Sequence, residues 1–271
     1  MQFEKWQALG NDYVIVERAA LPFELTPDRV KRICDPHFGV GSDGILLLTP
    51  VEDPQHVAEL RIFNPDGSEA ELSGNGAREA VLYLRSAGWT DADEFSVITK
   101  AGPVRPRITG PGEVRMEIGR ARDEGTGTLT SAGREWSYRK LNVGNPQCVI
   151  AAGDEVEDLD LGEIGPGIES NTELFPERTN VSFTRVSGSD VRARIFERGV
   201  GETLSSGTGA SGAAVAAFLE GAPSPIMVQL DGGRLTVEIS ADLDMTLIGT
   251  AEPICRGELS QELVSALKRL G

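Results

Sequence analysis

Short runs of apolar residues, bounded by glycine, proline and asparagine, recur along most of the chain and predict β-strands. The clearest runs lie at residues 13–17, 45–49 and 59–63, and short alternating runs continue to residue 118. Similar segments resume at residue 136 and continue to about residue 254. The pattern therefore predicts a protein built mainly from short strands.

Four segments carry helical signals instead. Thr26 followed by Pro27 predicts a helix start, because threonine is a favoured N-cap and proline suits the first helical position. Another segment consists almost entirely of Ala, Gly, Ser and Val, which predicts a central, buried helix that neighbouring backbone can approach closely. The predicted helices are 27–33, 76–87, 208–218 and 260–270, the last of them amphipathic.

The chain contains one stretch twice. Residues 61–84 match a stretch within residues 194–218 without a gap, so that Arg61, Glu69 and Ser73 correspond to Arg194, Glu202 and Ser206 at a constant separation of 133 residues. A Gly-Asn turn near the start of each half repeats at a separation of 134 residues. The duplication therefore covers whole halves and predicts two similar domains related by a pseudo-twofold axis.

These patterns together predict the α+β class, with two pseudo-symmetric domains that are each a curved sheet around a central helix. Residues 119–133 are polar and rich in glycine, and we expect them to form a linker. The expected domains are residues 1–118 and 119–255. The remaining residues, 256–271, are expected to form a C-terminal helix that packs back on the first domain.

Composition narrows the range of partners. A net charge of −16 argues against nucleic acid, because phosphate contacts need a basic surface. No apolar run approaches the length of a membrane span, and the first residues lack the apolar core of a signal peptide. The three cysteines form no CxxC pair and suggest no disulfide framework, so a cytoplasmic protein is expected.

A glycine-rich loop at residues 39–44 resembles part of a dinucleotide-binding motif. In that motif the glycines follow a strand and open a helix, whereas here they precede a predicted strand. We therefore do not interpret this loop as a dinucleotide site.

Each half places Ser-Gly-Xaa-Gly directly before its main helix. A helix N-terminus offers unpaired backbone N–H groups and a positive dipole end, so two of them facing one cleft could hold one carboxylate. Ser73 and Ser206 would then lie on opposite sides of one carbon, as a two-base stereoinversion requires. In the plainer interpretation both serines are ordinary N-caps, the asparagines mark turns and Glu197 and Arg198 form a solvated pair.

Seven short motifs carry a resemblance to a known family. They are GND at 10–12, NPDGS at 64–68, SGNGAR at 73–78, GNP at 144–146, RTNV at 178–181, ERGVGET at 197–203 and SGTGA at 206–210. With these motifs the chain resembles the diaminopimelate epimerases, within the pyridoxal-independent amino-acid racemases and epimerases. The resemblance implies two mirrored domains, each a barrel-like sheet around a central helix, with the active site in the interdomain cleft. It implies neither a cofactor nor a metal.

The resemblance also assigns roles by matching positions. It implies that the reacting α-carboxylate is held by Gly74, Asn75, Gly207 and Thr208. It implies that the rest of the substrate is held by Asn11, Asn64, Asn145, Asn180, Glu197 and Arg198. Among these, Arg198 suits the distal carboxylate, because its guanidinium binds a carboxylate with two parallel hydrogen bonds.

The chain departs from the family where protons would be transferred. Both catalytic positions are cysteines in the family and are Ser73 and Ser206 here, and Gln147 stands where a histidine often follows GNP. Three explanations remain open. The serines are engineered replacements that trap a bound substrate, or they belong to a natural variant that works slowly or uses Glu197 as a base. Alternatively, the chain is a relative with another substrate or reaction, like the family's phenazine-pathway isomerases.

The leading functional hypothesis is interconversion of LL- and meso-diaminopimelate, for lysine and cell-wall precursors. An inactive relative that only binds an amino acid is one alternative, and a racemase or isomerase with another substrate is the other. The expected partner is a small amino acid, without nucleic acid or membrane. The sequence leaves open whether the chain forms a homodimer.

Overall fold

The structure is a computed structural model in which residues 1–270 are described. Its internal contacts divide the chain into two compact units. Unit 1 comprises Met1–Met116 together with the chain from Thr250 onward, and unit 2 is Glu117–Gly249.

The described residues contain nineteen strands and five α-helices. The strands of the first half are β1 (Gln2–Ala8), β2 (Asn11–Glu17), β3 (Ile45–Pro50), β4 (Ala58–Phe63), β5 (Glu69–Ala70), β6 (Val97–Thr99), β7 (Gly102–Val104), β8 (Arg107–Gly110) and β9 (Glu113–Arg120). Those that follow are β10 (Arg122–Ser131), β11 (Arg134–Asn142), β12 (Pro146–Ala151), β13 (Asn180–Ser187), β14 (Asp190–Glu197), β15 (Gly201–Thr203), β16 (Ile226–Leu230), β17 (Gly233–Ile239), β18 (Asp244–Thr250) and β19 (Glu252–Glu258). The helices are α1 (Pro27–Cys34), α2 (Gly74–Ser86), α3 (Leu161–Glu169), α4 (Gly207–Leu219) and α5 (Gln261–Arg269).

The two units repeat one sheet topology. The path β1-β2-β3-β4-β6-β7 in unit 1 corresponds strand by strand to β11-β12-β13-β14-β16-β17 in unit 2. The second and third strands of each path pair in parallel, as do the fourth and fifth, whereas the other pairs are antiparallel. In the described residues neither path closes on itself, so both sheets are open.

The duplication extends to strand register and to ion pairs. Phe63 pairs with Glu69 across β4 and β5, and Phe196 pairs with Glu202 across β14 and β15. The Arg61 guanidinium lies 2.9 Å from the Glu69 carboxylate, and its counterpart Arg194 lies 2.6 Å from Glu202. The α+β class and the internal duplication predicted from sequence are therefore confirmed.

The continuous apolar runs in β2 and β3 arise because both faces of the unit 1 sheet are covered. Tyr13 and Leu46 belong to the core beside α2, whereas their neighbours Val14 and Ile45 belong to the core beside α1 and α5. Successive side chains point to opposite faces of a strand, so a sheet buried on both sides needs apolar residues at every position.

The helices α2 and α4 are the central helices of their units. Every residue from 75 to 84 is buried in α2, and every residue from 209 to 217 is buried in α4. A glycine sits at the same place near each start, because a Cβ on Gly76 would lie 3.0 Å from Leu46 and a Cβ on Gly209 would lie 2.6 Å from Ile195. These glycines let both helix N-termini approach the sheet closely.

Helix α5 packs in unit 1. Its Val264 and Leu267 join the core beside α1, and the Arg29 Nε donates to the Leu267 carbonyl at 2.8 Å. Among the described residues no helix combines the length and the apolar character needed to cross a membrane.

Three local expectations need correction. Residues 119–133 were expected to form a linker, but most of them lie in β10, where Leu129 is buried and the threonines pair with β11. These residues form a strand in spite of their polar composition, because threonine recurs at every second position and suits a half-buried strand. Helices α2 and α4 begin at Gly74 and Gly207, earlier than predicted, since each serine is the N-cap itself. Thr26 is the N-cap residue of α1 but its hydroxyl makes no capping bond.

Candidate active site

Ser73 lies at the junction between the β-hairpin β4–β5 and helix α2. It has extended backbone geometry, and its Oγ accepts a hydrogen bond from the Gly76 N–H at 3.1 Å, as an N-cap does. The Tyr13 hydroxyl donates to the same oxygen at 3.3 Å. The half-buried hydroxyl of Ser73 is thus held at the positive end of the unit 1 central helix.

A chain of hydrogen bonds fixes the two asparagines beside Ser73. Arg78 donates to the Asn75 Oδ1 at 2.6 Å, Asn75 donates to the Asn11 Oδ1 at 3.1 Å, and Asn11 donates to Asp43 at 2.9 Å. Because each carbonyl oxygen is occupied by a donor, both amides have a defined orientation. Burial lowers the pKa of Arg78 to about 10, which still leaves the guanidinium charged at neutral pH.

Glu79 is also fully buried next to Arg78. Burial raises the pKa of this carboxyl well above its usual value, and the charge of Arg78 opposes the rise. Burial therefore favours the neutral form of this carboxyl.

Asn64 follows directly after strand β4. Its side chain donates to Ser68 Oγ at 3.0 Å, and its carbonyl accepts from the Gly67 N–H at 2.9 Å. Gly67 has a φ of +85°, which suits glycine in this turn. The structure thus places Asn64 in the turn after β4, where it is hydrogen-bonded to Ser68 and Gly67.

In unit 2, Ser206 is the N-cap of α4 and accepts from the Gly209 N–H at 3.1 Å. Its hydroxyl donates to Glu197 Oε2 at 3.0 Å, and Thr203 donates to the other carboxylate oxygen at 2.9 Å. Burial raises the pKa of Glu197, although both hydrogen bonds work in the opposite direction. A carboxylate with a raised pKa beside a hydroxyl has the arrangement of a general base.

Thr208 is the second residue of α4 and corresponds to Asn75. Its hydroxyl accepts from Asn145 at 3.3 Å and from Asn180 at 3.5 Å. The buried Gln147 donates to the Asn145 Oδ1 at 2.6 Å and so fixes that amide. The pair Asn145–Thr208 therefore repeats the pair Asn11–Asn75 of unit 1.

Arg198 lies in the turn after β14. Its backbone N–H donates to the Asn180 Oδ1 at 2.8 Å, and its exposed guanidinium donates to the Glu177 carbonyl at 2.7 Å. The buried carboxylate of Glu169 holds the same turn, because it accepts from the Gly199 N–H at 3.1 Å and pairs with Arg178 at 2.5 Å.

The predicted residues thus form two groups, one within each unit. Unit 1 brings together Asn11, Ser73, Gly74 and Asn75, whereas unit 2 brings together Asn145, Asn180, Glu197, Arg198, Ser206, Gly207 and Thr208. Sequence reasoning missed Tyr13, Arg78, Thr203 and Glu169. Arg78 and Thr203 lie inside the family motifs, so their place in those motifs was an available signal. Along residues 1–270 no cluster of three or more His, Cys, Asp or Glu side chains is arranged to hold a metal ion.

Comparison with known proteins identifies the family of similar chains. The family model described as diaminopimelate epimerase matches residues 3–123 and 140–253. Diaminopimelate epimerase 2 from Nostoc sp. is 38% identical, over 97% of this chain and 97% of its own. Diaminopimelate epimerase from Moorella thermoacetica is 37% identical, over 95% of this chain and 99% of its own.

Solved structures show the same fold at low identity. A phenazine biosynthesis protein from Enterococcus faecalis gives a TM-score of 0.73 at 15% identity, covering 96% of this chain and 98% of that one. A predicted epimerase from Pseudomonas aeruginosa gives 0.69 at 17% identity, covering 95% and 98%. The family model and the near full-length relatives together establish that the chain belongs to the diaminopimelate epimerase family.

Proposed function

We propose that this protein is a cofactor-independent epimerase that interconverts LL- and meso-diaminopimelate, and so supplies precursors of lysine and the cell wall. Membership of the family supports the substrate. One structural observation supports the chemistry: two duplicated units each hold a serine N-cap beside an asparagine-fixed helix start.

In this proposal the helix N-termini at Gly74 and Gly207 bind the α-carboxylate through backbone N–H groups. The same dipoles stabilise the negative charge that develops when the α-proton leaves. Asn75 and Thr208 complete the carboxylate site. The distal amino-acid end is bound by Arg198 together with Asn11, Asn64, Asn145 and Asn180.

Ser73 and Ser206 transfer the protons, one on each face of the reacting carbon. A hydroxyl is a much weaker acid than a thiol, whose pKa is about 8.5, so it needs a partner to act as a base. Glu197 supplies this partner for Ser206. As Ser206 takes the α-proton, its own proton moves to the Glu197 carboxylate, and the oxygen stays neutral.

The proposal is tested by incubating the protein with LL-diaminopimelate in D₂O and following the α-proton by NMR. The same measurement is made on a Ser73→Cys, Ser206→Cys double variant. We expect exchange and meso product from the protein, and faster exchange from the double variant. If neither form produces meso-diaminopimelate, the substrate assignment is wrong.

The two serines also favour a second candidate, a protein that binds an amino acid without turning it over. Calorimetry with diaminopimelate separates the two functions. Tight binding without α-proton exchange supports the binding protein, whereas measurable exchange excludes it.

A further inference from the structure

Tyr13 brings a second hydroxyl group to Ser73. The Ser73 oxygen accepts from the Tyr13 hydroxyl at 3.3 Å and from the Gly76 N–H at 3.1 Å. With both of these bonds directed at its oxygen, the proton of Ser73 must point elsewhere. Ser73 is therefore arranged to donate a proton rather than to accept one.

Packing holds the Tyr13 hydroxyl in this place. Tyr13 is only 5% exposed and belongs to the core beside α2. Its ring lies against the backbone of Gly44, where an added Cβ would come within 2.7 Å of Cε1. The hydroxyl therefore cannot swing away from Ser73 without disturbing close-packed neighbours.

In unit 2 the corresponding serine, Ser206, donates a side-chain hydrogen bond instead of accepting one from a tyrosine. The residue that corresponds to Tyr13 is Gln147, which donates to Asn145 at 2.6 Å. Ser206 instead donates a hydrogen bond to Glu197, the residue that corresponds to Asn64 in unit 1. One serine thus receives a hydrogen bond from a phenol, and the other gives one to a carboxylate.

We propose that Tyr13 is a positioning residue that makes Ser73 the proton-donating serine of the pair. This inference rests on the proposed function. When Ser73 protonates the reacting carbon, its O–H bond breaks, a C–H bond forms, and the negative charge moves from the carbon to the Ser73 oxygen. The Tyr13 hydroxyl and the Gly76 N–H stabilise that charge by hydrogen bonding.

Several charged groups surround this end of unit 1. Lys5 pairs with Asp12 at 3.1 Å, Asp43 accepts from Asn11, and Arg78 and Glu79 lie on the buried face of α2. Removing only the Tyr13 hydroxyl leaves all of these groups in place. A comparison of Tyr13→Phe with its parent therefore isolates the hydrogen bond.

The test replaces the serine by a residue whose ionisation can be measured. In a Ser73→Cys variant the thiol at position 73 is alkylated with iodoacetamide over a range of pH and followed by peptide mass spectrometry, which separates it from the exposed Cys255. A hydrogen bond to the thiolate lowers its pKa, so adding Tyr13→Phe should raise it by about one unit and slow alkylation at neutral pH about tenfold.

Tyr83→Phe in the same background is the matched control. Tyr83 is 8% exposed in the same unit, and its hydroxyl donates to Glu17 at 2.8 Å, away from Ser73. We expect this control to keep the parent profile. If Tyr13→Phe also keeps it, the proposed contact is wrong.

Circular dichroism checks that the variants fold. If the Ser73→Cys variant does not fold, Tyr13→Phe is compared with Tyr83→Phe in the protein that keeps Ser73. A lower kcat at unchanged KM is then expected for Tyr13→Phe only. Equal rates in the two variants overturn the proposal. If the parent protein exchanges no α-proton at all, the proposed function fails, while the thiol titration still decides the role of Tyr13.

Discussion

Ser73 and Ser206 occupy equivalent N-cap positions but have chemically different neighbours. Ser73 lies beside the hydroxyl of Tyr13, and Ser206 lies beside the carboxylate of Glu197. Neither neighbour is repeated in the other unit, because Gln147 corresponds to Tyr13 and Asn64 corresponds to Glu197. At the scale of single residues, the two units have therefore diverged at the atoms that would move protons.

Replacing Glu197 by glutamine tests the base assigned to Ser206. The amide can still accept a hydrogen bond from Ser206 but cannot take up its proton, so we expect α-proton exchange to fall by about 10²–10⁴-fold with little change in KM. Glu202→Gln is a suitable control, because Glu202 is exposed and pairs with Arg194. Equal exchange rates in the two variants would contradict the role of Glu197.

The buried Glu79 should make stability depend on pH. Its folded pKa lies well above the ordinary value of 4.5, because burial outweighs the opposing charge of Arg78, while Asp12 and Asp43 add to the rise. Between the unfolded and folded pKa values the native state binds more protons than the unfolded state. The contribution of Glu79 to the free energy of unfolding therefore falls as pH rises through this window.

Glu79→Gln removes this titration. The free energy of unfolding of Glu79→Gln and of the parent is measured in urea at about pH 5 and about pH 8. Relative to the parent, the variant should be more stable at the higher pH than at the lower pH. A difference that stays constant between the two pH values would show that Glu79 titrates normally.

At the scale of elements, the central helices are defined by their glycines. Gly76 and Gly209 stand three residues after the two serines and allow each helix start to lie against a strand. The two sites differ in tightness, since the contact at Gly209 involves three atoms of Ile195, whereas the one at Gly76 involves the end of the Leu46 side chain.

This difference predicts an order of stability. Gly209→Ala should lower the free energy of unfolding by about 1–3 kcal/mol through overpacking, and Gly76→Ala should cost less because Leu46 can move aside. Alanine also gains helix propensity at both sites, which cancels in the comparison. Urea denaturation of the two variants measures the order, and a larger loss for Gly76→Ala would contradict it.

At the scale of the whole molecule, the two units repeat one sheet path and one helix, and the proposed reaction needs both. In the proposed function each unit supplies one proton-transfer group and one helix N-terminus, so the proposal requires both units.

Cysteine substitutions at both serines test this dependence. A thiol ionises far more readily than a hydroxyl, so Ser73→Cys with Ser206→Cys should raise the exchange rate well above that of the serine protein. Each single variant should gain much less, because groups that act as a unit are strongly non-additive. The exchange rates of the parent, the two single variants and the double variant are compared. If the rate increase of the double variant equals the product of the two single increases, the two positions act independently.

The sequence by itself determined the duplication, the class of fold and the positions of the buried strands and central helices. Strand alternation, glycine turns and N-cap residues act through local interactions, which the sequence displays directly. The duplication is visible because Arg61 and Arg194 are separated by the same number of residues as Ser73 and Ser206. Residues 119–133 mark the limit of this reasoning, since their composition suggested a linker and pairing with β11 made them a strand.

Only the tertiary structure decided which side chains meet. Tyr13 and Ser73 are 60 residues apart, and Arg78 and Glu79 look like surface residues until α2 is buried on all sides. Hydrogen bonds and pKa shifts of this kind depend on which strands pair and how deeply each helix is covered. Those are properties of long-range packing, and no local pattern in the sequence encodes them.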